Sequence, residues 1–125
     1  MRDIKFRSWN EDEKVMIDGD SLAFEGHAPI SELLSQDGIM QFTGLKDMNG
    51  LKDIYEGDIV KDSYISHLDN KEKPYIWVVE YETGMYWLRP INKMKHHDSF
   101  LFLKFTRIEV IGNIYEHPHL LQDKA

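Results

Sequence analysis

Three carboxylates, Asp53, Glu56 and Asp58, sit close together around Gly57, with Asp47 and Asn49 just upstream. Paired carboxylates can act as general acid and base when a fold drives their pKa values apart. Beside a glycine in a turn, such groups more commonly meet water or backbone N–H groups, and the sequence predicts that structural role here. A calcium loop is the sharper alternative. Counted from Leu45, Asp47, Asn49, Gly50 and Glu56 fall at positions 3, 5, 6 and 12 of an EF-hand loop. Position 1 is then a leucine where a carboxylate is needed, and no long amphipathic helix flanks the segment. The expectation is a turn in which Asp47 and Asn49 bond nearby backbone.

Histidine occurs in two clusters, His96-His97-Asp98 and His117-Pro118-His119. Residues two apart in an extended chain share a face, so His117 and His119 could reach one metal. No third ligand stands at a supporting spacing, and both clusters read as loop and terminal histidines. The chain has no cysteine, which excludes disulfides, thiolate metal sites and a cysteine nucleophile. It lacks a phosphate-cradling lysine loop, a Gly-x-Ser-x-Gly elbow and a His-Glu-x-x-His pair. The expectation is a protein that is not an enzyme and carries no cofactor and no metal.

A binding surface is the stronger signal. Tyr86, Arg89, Lys93, Lys95, Lys104 and Arg107 mix aromatic and basic groups in one part of the chain, together with Trp87, His96 and His97. Small β domains use such surfaces to stack single-stranded bases and neutralise phosphates. The competing assignment puts most of the aromatics in a core and the charges on a solvated rim. A net charge of −7 opposes coating of duplex DNA, which needs a basic field. Nucleic acid is therefore an alternative partner rather than the favoured one.

The elements that must position these groups are short. At 125 residues the chain fits one domain or a domain with a small appendage, and 42% hydrophobic residues support a core. Ile4, Phe6 and Ser8 alternate with Lys5, Arg7 and Trp9, predicting a strand over 3–9. Val15, Met16 and Ile17 return as its antiparallel partner. Leu22 and Phe24 fit a short strand, and Pro29 ahead of Ile30, Leu33 and Leu34 predicts a short helix. Residues 39–43 read as a strand running into Gly44, Asn49-Gly50 and Gly57-Asp58, three turn signals in close succession.

From Gly57 onward the pattern is β. Strands are predicted over 58–64, 75–82, 85–88, 100–105 and 108–115, with loops over 65–74 and 90–98. Gly112 marks a place where another backbone approaches. Pro118 to Leu121 predicts a terminal helical turn. Five short strands joined by turns favour a small barrel, which removes exposed edges.

Four segments then resemble one family. They are Ile4 to Trp9; Phe42 to Asp47 with Asn49-Gly50; Ile54 to Val60; and Glu109 to Glu116. In this order, along nearly the whole chain, they are similar to the YopX family of small phage and prophage proteins. The usual Asn-Pro after the last motif is here His117-Pro118, and residues 10–38 match nothing in the pattern. The resemblance implies a Src-homology-3-like β-barrel in the back half and a prophage origin; it implies no activity and no catalytic residues.

The expected fold is α+β and predominantly β, with a mixed region over 1–50 and a five-stranded barrel over 51–125. Tyr75, Trp77, Val79 and Tyr81 lie on one face of their strand and Ile76 and Val78 on the other, so both faces are apolar. One of them is covered by the front region or by another subunit. This favours a homo-oligomeric interaction module with a phage or host protein partner. No window approaches a membrane span and Met1 to Arg7 has no apolar signal core, so a cytoplasmic location is expected.

Overall fold

The alternation at the front of the chain builds the first sheet. A computed structural model describes residues 5–18, 38–48, 50–62, 75–91 and 98–121. Strand β1 (Phe6–Asn10) turns through Glu11 to Lys14 into β2 (Val15–Asp18), antiparallel, with Ser8 opposite Ile17 and Trp9 opposite Met16. On its other side β1 pairs with β3 (Ile39–Lys46), Phe6 opposite Gln41. Strand β4 (Asp53–Tyr55) folds back on β3, giving the order β2-β1-β3-β4. The β3–β4 register shifts between Phe42 and Lys46, where Gly44 sits at φ +89°.

The second sheet contains β5 (Asp58–Asp62), β6 (Tyr75–Glu82), β7 (Met85–Pro90), β8 (Ser99–Phe100) and β9 (Ile108–Asn113), in the order β8-β7-β6-β5-β9. Strands β6 and β7 form the predicted hairpin across Thr83-Gly84. A bulge in β9 sets Gly112 opposite Ile59 and Val110 opposite Val60, with Ile111 as the extra residue. The sheet curls, and among the described residues no ladder joins its outer strands β8 and β9.

One predicted strand is replaced. Residues 100–105 do not continue as β: after Phe100 the chain makes a helical turn α1 (Leu101–Lys104) and a 3-10 turn (Phe105–Arg107). Phe100 lies opposite Trp87, so a continued strand would reach Met85 two residues later and run past the hairpin with no partner. The helical turn instead brings Leu101 and Phe105, four apart, onto one core-facing side. A continuous apolar run carries no period that would separate these outcomes beforehand. The predicted helical turn Pro118–Leu121 is present as a 3-10 turn. The predicted helix near Pro29, the strand at Leu22 and Phe24, the loop over 65–74, and Asn49, Lys93, Lys95, His96 and His97 lie outside the described residues.

The core sits inside the curl of the second sheet. Val60, Trp77, Val79, Leu88, Leu101 and Ile108 pack together, and Ile54 from β4 joins them, so the first sheet contributes to the same core. Each such side chain contributes about 1.5–3 kcal/mol when fully buried. At the joint, the Gly57 amide donates to the Val79 carbonyl (2.8 Å) and the Ile114 amide donates to the Gly57 carbonyl (2.9 Å). Gly57 takes φ +80°, and a Cβ there would stand 3.1 Å from Met40 Sδ, so glycine suits both the backbone and the space.

Candidate functional site

The carboxylate-rich turn is a structural joint. Asp53 Oδ2 accepts from Lys5 Nζ at 2.7 Å. Glu56 Oε1 accepts from the Gln41 amide at 3.0 Å. Asp58, 1% exposed, accepts from Arg7 Nη2 on Oδ1 (2.5 Å) and from the Tyr55 amide on Oδ2 (2.7 Å). The Arg7 guanidinium also lies over the Tyr55 ring, 4.5 Å from its centroid. Burial pushes the Asp58 carboxyl up to about 6, against the lowering effects of Arg7, the Tyr55 amide and Lys52. Glu56 is raised as well, by burial, with the Gln41 amide opposing. Each of the three carboxyls already has a partner within the chain.

Asp47 does more than the expected local turn. It is buried, and its Oδ2 accepts from the amide of Val110, 63 positions away, at 3.2 Å. The Met48 amide donates to the Ile108 carbonyl and Lys52 Nζ to the Val110 carbonyl. The β3–β4 loop thus clasps β9 along the edge that its ladder leaves open, which shields that edge from foreign strands. Alternation and turn chemistry carry no signal for such a long-range partner.

His117 is occupied too. Its Nδ1 accepts from the Asn113 amide at 3.2 Å, which places the neutral ring's proton on Nε2. Asn113 Oδ1 accepts from the Tyr115 and Glu116 amides, closing the turn after β9. The approach expected at Gly112 comes from this ring rather than from backbone: a Cβ at 112 would stand 2.6 Å from His117 Nδ1. His117 and His119 rings are 6.0 Å apart. Among the described residues no group of three or more His, Asp or Glu side chains is disposed to hold a metal.

The basic-aromatic candidates are dispersed. Arg89 bonds Glu80, Glu82 and Asp98, the last two at 2.5 Å. These carboxylates hold its pKa above the ordinary arginine value although desolvation opposes them. Arg107 Nε donates to buried Asp62 at 3.2 Å, and Lys104 Nζ stands 6.0 Å from the Trp77 ring centroid. Tyr86 packs on the core and against Tyr81. Lys93 and Lys95 lie outside the described residues.

Two surface features remain. Around α1, Phe102 is 73% and Leu103 66% exposed, beside a groove of about 270 Å³ lined by Leu45, Met85, Tyr86 and Leu101. On the opposite face of β6, where Val78 points away from the core, a second groove of about 500 Å³ runs between Met40, Ile114 and Leu121. β3 and the C-terminal turn flank this groove.

A family model described as YopX protein matches residues 5–122. The chain is similar to protein EF1440 from Enterococcus faecalis, with 25% identity, a TM-score of 0.61, and coverage of 98% of this chain and 100% of that one. It is also similar in fold to protein yopX from Bacillus subtilis, with 22% identity, a TM-score of 0.58 and full coverage of both chains. No curated protein matches the chain.

Proposed function

The chain belongs to the YopX family, and from that premise we propose that it is a non-enzymatic phage or prophage accessory module that pairs with a second copy of itself. The observation that carries this is the apolar face made by α1. Leu101 is buried while Phe102 and Leu103 project beside a groove on the same face. A projection and a recess side by side are self-complementary under a two-fold axis, each Leu103 entering the recess of the other protomer. Burying a leucine or phenylalanine side chain contributes about 1.5–3 kcal/mol, and a two-fold contact counts each twice. Exposed aromatic and aliphatic groups gathered on one face are the usual mark of such a contact.

The non-enzymatic part rests on the carboxylates, each of which has a structural partner: Lys5 for Asp53, the Gln41 amide for Glu56, and Arg7 with the Tyr55 amide for Asp58. Sedimentation equilibrium at micromolar concentration tests the pairing. A dimer or larger species is expected for the native chain, and a monomer for Phe102→Asp with Leu103→Asp, with circular dichroism unchanged. A native chain that sediments as a monomer would defeat the proposal.

A further inference from the structure

The 500 Å³ groove on the outer face of β6 has a chemistry unlike that of the α1 face. Its walls are aliphatic, from Met40, Val78, Ile114 and Leu121, and one tyrosine, Tyr115, stands at its side. Tyr115 is held in place by stacking on Trp9, centroids 5.9 Å apart and planes 17° from parallel. Glu56 lines the same groove. One of its oxygens accepts the Gln41 amide, and Oε2 has no partner among the described residues. Glu80 lines the groove as well, its Oε2 engaged by Arg89 at 3.3 Å.

A half-buried carboxylate with one oxygen unengaged among the described residues, in an apolar recess with an aromatic flank, is complementary to one kind of group: a cation on an aliphatic stem. We infer that this groove is a docking site for a lysine or arginine side chain presented by a basic segment of a partner protein. The stem lies along Val78, Met40 and Leu121, and the charged head donates to Glu56 Oε2. Tyrosine faces attract cations, and charge-assisted hydrogen bonds are roughly twice as strong as neutral ones. The upward displacement of the Glu56 carboxyl by burial fits a group that gains from a counter-charge. A chain of net charge −7 draws basic partners toward it. The groove's volume of about 500 Å³ lies within the range of pockets that enclose small ligands. The site is separate from the α1 face and stands or falls without the pairing proposed there.

The test is a titration of the nitrogen-15-labelled native chain followed by amide chemical shifts. The probes are the acetylated, amidated tripeptide leucyl-lysyl-leucine, its uncharged norleucine analogue, and n-butylammonium. Saturable shifts at Gly57, Val78 and Tyr115 are expected with the lysine peptide, and affinity at least tenfold weaker with norleucine. Butylammonium alone, which lacks the flanking residues, is expected to bind at least tenfold more weakly than the lysine peptide. Glu56→Gln, which keeps an acceptor for the Gln41 amide, is expected to lower affinity for the lysine peptide at least tenfold. No saturable shift with the lysine peptide, equal binding of the norleucine peptide, or unchanged affinity in Glu56→Gln would each overturn the inference. Equal binding of butylammonium would replace the protein partner with a free organic cation.

Discussion

Arg7 on β1 and Asp58 on β5 meet at 2.5 Å, and this ion pair ties the first sheet to the second. Both groups are largely removed from water, Arg7 with 15% and Asp58 with 1% of the side chain exposed. An isolated charge at such a site would be costly, and the pair is tolerated because Asp58 also accepts the Tyr55 amide.

This pair gives the fold a definite pH dependence. The folded state raises the Asp58 carboxyl from 3.8 to about 6, so it holds a proton more tightly than the unfolded chain does. The contribution of Asp58 to stability is therefore greatest below about pH 4 and declines as pH rises through about 6, flat beyond. Glu56, also raised, acts in the same direction. Urea midpoints are expected to fall between pH 5 and pH 7, with a smaller fall in Asp58→Asn. Arg7→Ala strands the buried carboxylate and is expected to cost about 3–5 kcal/mol at pH 8 and clearly less at pH 5. Equal costs at both pH values would show that the carboxylate does not carry the effect.

Gly112 and His117 make a second coupled pair. In Gly112→Ala the new methyl would meet the His117 ring at 2.6–2.8 Å, so the ring must move and its bond to the Asn113 amide is lost. A loss of about 1–3 kcal/mol is expected. In a His117→Ala background the same substitution is expected to cost little, because the obstacle is gone. Equal losses in both backgrounds would contradict this packing.

The clasp on β9 is testable at one amide. Asp47→Ala leaves the Val110 N–H without its acceptor and is expected to cost about 1–3 kcal/mol. Hydrogen exchange at Val110 is expected to quicken, with Asp47→Asn intermediate. Unaltered exchange at Val110 would remove Asp47 from the role.

Much of this architecture was legible from local patterns. The β6–β7 hairpin followed from β-branched and aromatic runs bounded by Pro74 and Thr83-Gly84, and β1 and β2 from alternation around a polar turn. The turn signals at Gly44, Gly50 and Gly57 correspond to positive φ at all three. What stayed hidden was non-local. Nothing in the neighbourhood of Asp47 announces Val110, and nothing beside Arg7 announces Asp58, because each partner arrives through topology. The stretch from Phe100 to Phe105 misled for the opposite reason: its residues favour a strand, and the shortness of β7 removed the partner a strand would need.

The same non-local pairing bears on the nucleic-acid alternative. Arg89 faces three carboxylates and Arg107 a fourth, so little free positive charge is presented by these two. A fluorescent single-stranded oligonucleotide is expected to show no anisotropy change at low salt, in the native chain or in Lys93→Glu with Lys95→Glu. Salt-sensitive binding weakened by that double substitution would reinstate the alternative.

Pairing through the α1 face is tested most directly by a distance across the two-fold axis. The chain has no cysteine, so Thr106→Cys, at an exposed position just after α1 and outside the proposed contact, carries a single spin label. Double electron–electron resonance is expected to give a short, narrow label-to-label distance at 106, and a longer one from Glu11→Cys on the first sheet. Absence of dipolar modulation at position 106, at concentrations where the native chain is examined by sedimentation, would contradict the pairing.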